Sequence, residues 1–202
     1  MTDTNNCLLL QGTALEEPVF SHENHSQRFL RFPLSIRRLS GQSDVIPVIA
    51  TPQQLQPLLP LTGKQLALEG QLRSFNNRTG PGNRLVISAF AQTLHPCTGE
   101  AVNRIRLRGV LCKPPVLRRT PLGRSISDMM LAVNRRYGRS DYLPCIAWGQ
   151  VAMLTARLDV GSPLMLEGRV QSRSYTKIAD WQAFARTAYE VSIMHLLDEE
   201  EP

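Results

Sequence analysis

Asp141-Tyr142-Leu143-Pro144-Cys145-Ile146-Ala147-Trp148-Gly149 is the stretch on which both the fold and the surface chemistry turn. Leu143, Cys145 and Ala147 alternate along it and supply one apolar face of a strand. Tyr142 and Trp148 lie six residues apart and therefore share the other face. Core packing is the plainer reading of those two rings, but the strand already has its apolar side without them. Just upstream, Ala132-Val133-Asn134-Arg135-Arg136-Tyr137-Gly138-Arg139 mixes guanidinium groups with a further ring. Arginine neutralises phosphate, and an exposed ring accepts an unstacked base at about 1–3 kcal/mol per base. A duplex hides its base faces, so this mixture suits a single nucleic-acid strand.

Outward from this stretch, the chain repeats itself. At an offset of 97 residues Leu10, Gly12, Pro18, Val19, Arg38, Gly41, Asp44, Pro47 and Ala50 match Leu107, Gly109, Pro115, Val116, Arg135, Gly138, Asp141, Pro144 and Ala147. After one inserted residue, Gly63, Leu66, Leu68, Glu69, Gly70 and Ser74 match Gly161, Leu164, Leu166, Glu167, Gly168 and Ser172. Ordered Gly, Pro and Asp pairs are hard to obtain by chance. His95-Pro96-Cys97-Thr98-Gly99-Glu100 has linker composition, which sets one domain at 1–97 and a second at 98–202.

Each copy reads mostly as strand. Ile105, Leu107 and Gly109 alternate with Arg104, Arg106 and Arg108; Leu66, Leu68, Gly70 and Leu72, and their counterparts Leu164, Leu166, Gly168 and Val170, show the same period of two. Gln150 to Leu158 is rich in helix formers, with Val151, Leu154 and Leu158 on one helical face and Gly161 as the stop. Its counterpart, Pro52 to Pro60, predicts a short or broken helix. Three strands, a helix and two strands per copy predict an all-β protein of two tandem OB-fold barrels. Each is a five-stranded Greek key with a short helix between strands 3 and 4.

Net charge is +6 and the pI near 9.5, as expected for a polyanionic partner. Residues 1–100 carry 8 basic against 7 acidic side chains, and residues 101–202 carry 15 against 10. The excess is nearly all arginine, the better residue for phosphate forks and ring stacking. Cys7, Cys97, Cys112 and Cys145 form no CxxC pair, and no apolar run nears the length of a membrane span. The expectation is a reducing cytoplasm, without metal or cofactor. Asp44 and Asp141 each stand without a second carboxylate at metal-site spacing, His22 and His25 read as solvated loop residues, and Gly80-Pro81-Gly82 reads as a hairpin turn. The reading is a binding protein, not an enzyme.

The second copy resembles the bacterial single-stranded DNA-binding protein (SSB) family. The matching segments are Asn103 to Gly109, Leu131 to Tyr137, Asp141 to Gly149, Gly161-Ser162, Leu166 to Tyr175 and Tyr189-Glu190-Val191. The first copy resembles the family mainly through Asn6 to Gly12 and Leu68 to Ser74 and is divergent. The resemblance implies stacking of bases on Tyr142, Trp148 and Tyr175, and on Tyr137 in the loop before the third strand. Arg135, Arg136, Arg169 and Arg173 would hold phosphate. Trp181, in the hairpin from Thr176 to Arg186, either covers a base or packs that hairpin.

At the four ring positions the first copy has Ser40, Val45, Thr51 and Asn77, with Phe75 as a nearby stand-in. Arg38 and Arg73 would hold backbone there, so weaker and largely electrostatic contact is expected. The outward residues of its first strand, Cys7, Leu9 and Gln11, point to burial against another subunit. By analogy, two barrels per chain imply a homodimer presenting four barrels at the nucleoid, with replication or repair proteins as possible partners. A recombination or primosome-like adaptor is the alternative, favoured by the degenerate first copy and by an acidic end, Asp198-Glu199-Glu200-Glu201-Pro202, that lacks a long linker and a terminal ring.

Overall fold

The computed structural model describes residues 5–78, 83–136, 138–179 and 182–198. The first half forms β1 (Asn6–Ala14), β2 (Val19–Asn24), β3 (Gln27–Arg37), β4 (Ser43–Ala50), α1 (Pro52–Leu55), β5 (Gln65–Asn76) and β6 (Leu85–Pro96). The second forms β7 (Val102–Leu111), β8 (Val116–Arg119), β9 (Ser125–Asn134), β10 (Ser140–Trp148), α2 (Gly149–Thr155), β11 (Pro163–Ala179) and β12 (Gln182–Leu197).

β1 pairs with β3, β3 with β4, β4 in parallel with β6, β6 with β5, and β5 back with β1. That circuit closes a five-stranded barrel, and the second half closes in the same way through β7, β9, β10, β12 and β11. The chain is thus the expected pair of OB barrels, with one addition each. Short arms β2 and β8 pair only with β3 and β9, so the helix follows the fourth strand in sequence order.

The alternating residues go where their period sends them. Leu66, Leu68 and Leu72 are buried in one barrel, and Leu107, Leu143, Ala147, Leu166 and Val170 in the other. Each such aliphatic side chain contributes about 1.5–3 kcal/mol relative to exposure. Two of the glycine pairs shared by the copies mark close strand crossings, and the other two, Gly41 with Gly138 and Gly63 with Gly161, sit in turns at positive φ. A Cβ on Gly12 or Gly109 would stand 2.3 or 2.5 Å from the Ser35 or Ala132 carbonyl oxygen, and one on Gly70 or Gly168 would stand 2.0 or 2.3 Å from that of Phe90 or Ser192.

One helical expectation needs correction, while the short or broken helix expected over Pro52 to Pro60 is found. The segment after Trp148 is helical only over Gly149–Thr155, and its buried residues are Ala152 and Thr155, while Leu154 points to solvent. A two-turn helix laid close on a barrel presents small residues to it. The Thr155 hydroxyl is satisfied within the helix by donating to the Val151 carbonyl at 2.9 Å. Pro52 to Pro60 divides into α1, capped by Thr51, and a single 3-10 turn at Gln56–Leu58.

The barrels are joined edge to edge. β1 and β7 pair antiparallel over six residue pairs, from Asn6 with Leu107 to Gln11 with Val102. The strand order β2-β3-β4-β6-β5-β1-β7-β11-β12-β10-β9-β8 is consequently a palindrome of equivalents. Leu8 lies opposite Ile105, its own counterpart in the repeat, so an approximate two-fold axis passes between them. The edge of β1 thus finds its hydrogen-bonding partner inside the chain, while Cys7 and Leu9 still face outward.

Candidate nucleic-acid interface

Around the two-fold axis lie two corresponding polar knots, alike except that Arg73, which joins the one at Asp141, has Gln171 as its counterpart in the repeat. Asp141 of β10 is fully buried and accepts from Arg135 Nε at 2.7 Å, from Arg73 Nη1 at 3.1 Å and from the Ser74 amide at 2.6 Å. The Ser74 hydroxyl in turn accepts from the Tyr142 amide at 2.7 Å, and its carbonyl from Arg135 Nη2 at 3.1 Å. On the other side Asp44 accepts from Arg38 and from the Ser172 amide at 2.7 Å, while the Val45 amide donates to the Ser172 hydroxyl at 3.2 Å. Asn6 and Asn103 each clip the backbone of the neighbouring β strand within their own barrel, at Leu72 and Val170. The repeated aspartates, read singly in the sequence, are therefore the centres of the contact between barrels. Arg38, Arg73 and Arg135 direct their guanidinium groups into these knots.

The exposed face of the second barrel is built on β10 and β11. Tyr142 and Trp148 are 43% and 39% exposed although Leu143, Cys145 and Ala147 beside them are sealed. At about 3.3 Å per residue the two rings stand roughly 20 Å apart along the strand. Trp148 pairs across the sheet with Ile126, and Ile126 with Arg118, whose fork is held by Asp128. On β11, Arg169, Gln171, Arg173 and Tyr175 share one face; Gln171 donates to Glu190, and the Arg173 guanidinium lies 5.8 Å from the centre of the Tyr175 ring.

The hairpin of β11 and β12 is a long ribbon, not a loop, since pairing runs out to Ala179 with Gln182. Exposed Phe184 lies on it with Arg186 at 5.9 Å, a stacked pair that sequence reading missed, although its Phe-x-Arg spacing on a strand was available. Tyr175 also reaches across the junction. With Pro144 and Tyr189 it faces Asn83, Leu85 and Ile87 of the first barrel around a cleft of about 320 Å³. Asn83 Nδ2 donates to the Thr187 carbonyl at 2.6 Å and so ties the two hairpins together. Burial pushes the Tyr189 hydroxyl above its ordinary pKa.

Arg136 is exposed in the turn between β9 and β10, and Phe75, at 67% exposure, stands on β5 next to Ser74. Tyr137, Trp181, the turn at Gly80 to Gly82 and the acidic residues from Glu199 onward lie outside the described residues. His22 departs from its expected place in a solvated loop. It lies in β2, stacked on Phe29.

Comparison with known proteins agrees with this architecture. Residues 102–197 match the model of the single-strand binding protein family. Single-stranded DNA-binding protein 2 of Listeria innocua is 37% identical over 81 residues, covering 37% of this chain and 51% of that protein. Single-stranded DNA-binding protein A of Bacillus subtilis is 32% identical over 102 residues, covering 47% and 59%. Single-stranded DNA-binding protein B of the same organism is 38% identical over 80 residues, covering 36% and 71%. The chain spans about half to three fifths of the length of the first relatives it matches. The crystal structure of wild-type single-stranded DNA binding protein from Thermus aquaticus shares the fold, with a TM-score of 0.77 at 23% identity over 98% of this chain and 94% of that one. On its second barrel and on the extent of its match to Bacillus subtilis protein B, the chain belongs to the single-strand binding protein family.

Proposed function

We propose that the protein binds single-stranded DNA with little regard to sequence and protects it during replication, recombination or repair. The observation that supports this best is the exposure of Tyr142 and Trp148 on a strand whose opposite face fills the core. Bases stack on these rings and on Tyr175, while Arg169, Arg173 and Arg136 neutralise phosphates; no covalent bond is made or broken. Phe75 extends the surface from the first barrel, Tyr137 joins it on the resemblance alone, and Trp181 either covers a base or packs its hairpin. Arg38, Arg73 and Arg135 belong to the frame rather than to the DNA contact, because buried carboxylates hold them.

We place the boundary between the two functional units at residues 97 and 98. Two chains would pair through the outward side of β1 and β7, where Cys7, Leu9 and Val110 lie among arginines, and so present four barrels. The proposed setting is the cytoplasm, at the nucleoid, in contact with replication or repair proteins.

Filter binding on poly-dT and on duplex DNA tests the central reading. Strong preference for poly-dT is expected, with log affinity falling against log salt by about 0.7 per phosphate contacted. Equal affinity for both forms, or affinity indifferent to salt, would refute it.

A further inference from the structure

The first barrel has a ring surface that residue-by-residue alignment with the second conceals. In the second barrel Trp148 of β10 stands across from Ile126 of β9. The first barrel has Thr51 where the repeat places Trp148, and Phe29 where it places Ile126. The ring has shifted one strand over. Phe29 faces His22 of β2, with ring centres 4.9 Å apart and planes within 17° of parallel. On its other side Phe29 meets Phe90 of β6 at 5.8 Å, tilted by 51°. Arg31, Ile49 and Phe90 form a row across β3, β4 and β6 beside this ladder.

Packing alone accounts for part of the arrangement. Phe29 and Phe90 are half-buried and lie beside Ile49, which is only 8% exposed. Packing does not account for His22, an exposed residue whose ring lies against another ring. Arg31 is exposed on the same face of β3 as Phe29, whereas Glu23 pairs with Arg28 on the opposite face of the arm. The accessible groups on this side thus include stacking rings and a cation, the combination that takes bases and phosphate, flanked by exposed Val19 opposite Arg31 and by the Asn24 and Gln27 pair at the end of the arm.

We propose that His22, Phe29, Phe90 and Arg31 form a second base-stacking site for single-stranded DNA, on the first barrel. This rests on the single-stranded DNA reading of the second barrel and replaces the largely electrostatic contact expected for the first. A strand bound by the whole chain then stacks on both barrels, at positions that are not equivalent.

Photo-crosslinking of the full chain to oligo-dT carrying 5-iododeoxyuridine, with the crosslinked peptides sequenced, tests it. Crosslinks at His22, Phe29 or Phe90 are expected beside those at Tyr142 and Trp148. Crosslinks confined to the second barrel would overturn this inference and leave the proposed function standing; absence of both crosslinks and poly-dT binding would remove both.

Titration supplies the second arm. Replacing His22→Ala with Phe29→Leu leaves an aliphatic cover beside Ile49. The double variant is expected to bind a long oligo-dT that reaches both barrels about fivefold or more weakly. Quenching of tryptophan fluorescence by a short oligo-dT should stay unchanged, because both tryptophans lie in the second half of the chain. Unchanged affinity for the long oligomer would return these rings to a packing role. His22→Ala alone, at an exposed position, keeps the measurement open should the double variant unfold.

Discussion

Replacing Asp141 with alanine should destabilise the protein far more than replacing Asp128, although each aspartate is paired with arginine. Asp141 is wholly buried and holds two guanidinium groups that are only about a quarter exposed, together with the Ser74 amide. Its loss leaves two partly buried cations and one amide without their acceptor. Removing one partner of a buried pair costs about 3–5 kcal/mol, and the residual solvation of Arg73 and Arg135 places this case near about 3 kcal/mol. For a chain of this size that lowers Tm by about 6–12 °C. The pair of Arg118 and Asp128 is roughly half exposed on both sides, so Asp128→Ala should cost no more than about 1 kcal/mol. Calorimetry on both variants, in low salt and in 0.5 M salt, is the assay. Salt should erase the small effect of Asp128→Ala and leave that of Asp141→Ala in place. Comparable shifts from the two variants would mean that the knot does not hold the barrels together. Asp141→Asn, which keeps the shape and removes the charge, serves should the alanine variant fail to fold. Because the Tyr142 amide is anchored on Ser74, the same lesion should also weaken binding of oligo-dT.

Trp148→Ala combined with Tyr142→Ala should weaken oligo-dT binding by at least tenfold in a fluorescence-anisotropy titration, at about 1–3 kcal/mol per stacked base; an unchanged dissociation constant would reassign both rings to structure. Gly168→Ala puts a Cβ 2.3 Å from the Ser192 carbonyl oxygen and should lower stability to urea by about 1–3 kcal/mol or more, and an unaltered midpoint would contradict the close crossing. Burial pushes the Cys145 thiol up to about 12, so the folded chain keeps a proton that the unfolded chain releases near pH 8.5. The stability this provides is complete below that pH and is lost as pH rises toward 12. Native protein at pH 8 should therefore resist thiol reagents at Cys145, which should react once the chain is unfolded in denaturant, and rapid native labelling of Cys145 would contradict its burial.

The barrels were legible because their strands carry burial in a period of two, and because two of the repeated glycine pairs, Gly12 with Gly109 and Gly70 with Gly168, recur where strands cross too closely for a Cβ while the other two serve positive-φ turns. The exposed rings of β10 were legible for the same reason, since Leu143, Cys145 and Ala147 had already claimed the inner face. The contact between barrels was not. Arg38, Arg73 and Arg135 look like any other surface arginines in a basic chain, and only the fold brings Ser74 to Asp141 across 67 residues. A usable signal did exist: arginine, aspartate and serine all recur together at the repeat offsets, which a charge scan for phosphate ligands passes over. The ladder of His22, Phe29 and Phe90 escaped for a different reason. Comparing the copies position by position detects a ring that is kept or lost, but not one handed to the neighbouring strand.

The two halves of the chain divide their likeness unevenly, and the division follows the physics. The centre of the contact between barrels is present on both sides of the axis: Asp44 meets Ser172 as Asp141 meets Ser74, each aspartate is held by its own arginine, Arg38 or Arg135, and each barrel is clipped by its own asparagine, Asn6 or Asn103, whereas Arg73, which also reaches Asp141, has Gln171 as its counterpart. These groups are desolvated, and a change to one strands a buried partner, so each side constrains the other. The rings carry no such mutual constraint. Thr51 stands where Trp148 does, Val45 where Tyr142 does, and neither exchange leaves a polar group unpaired. A fused pair of barrels can therefore keep a symmetric frame while its two outer faces diverge. On the proposed function, such unequal faces would offer a bound strand two different stacking surfaces, which symmetry-equivalent barrels could not.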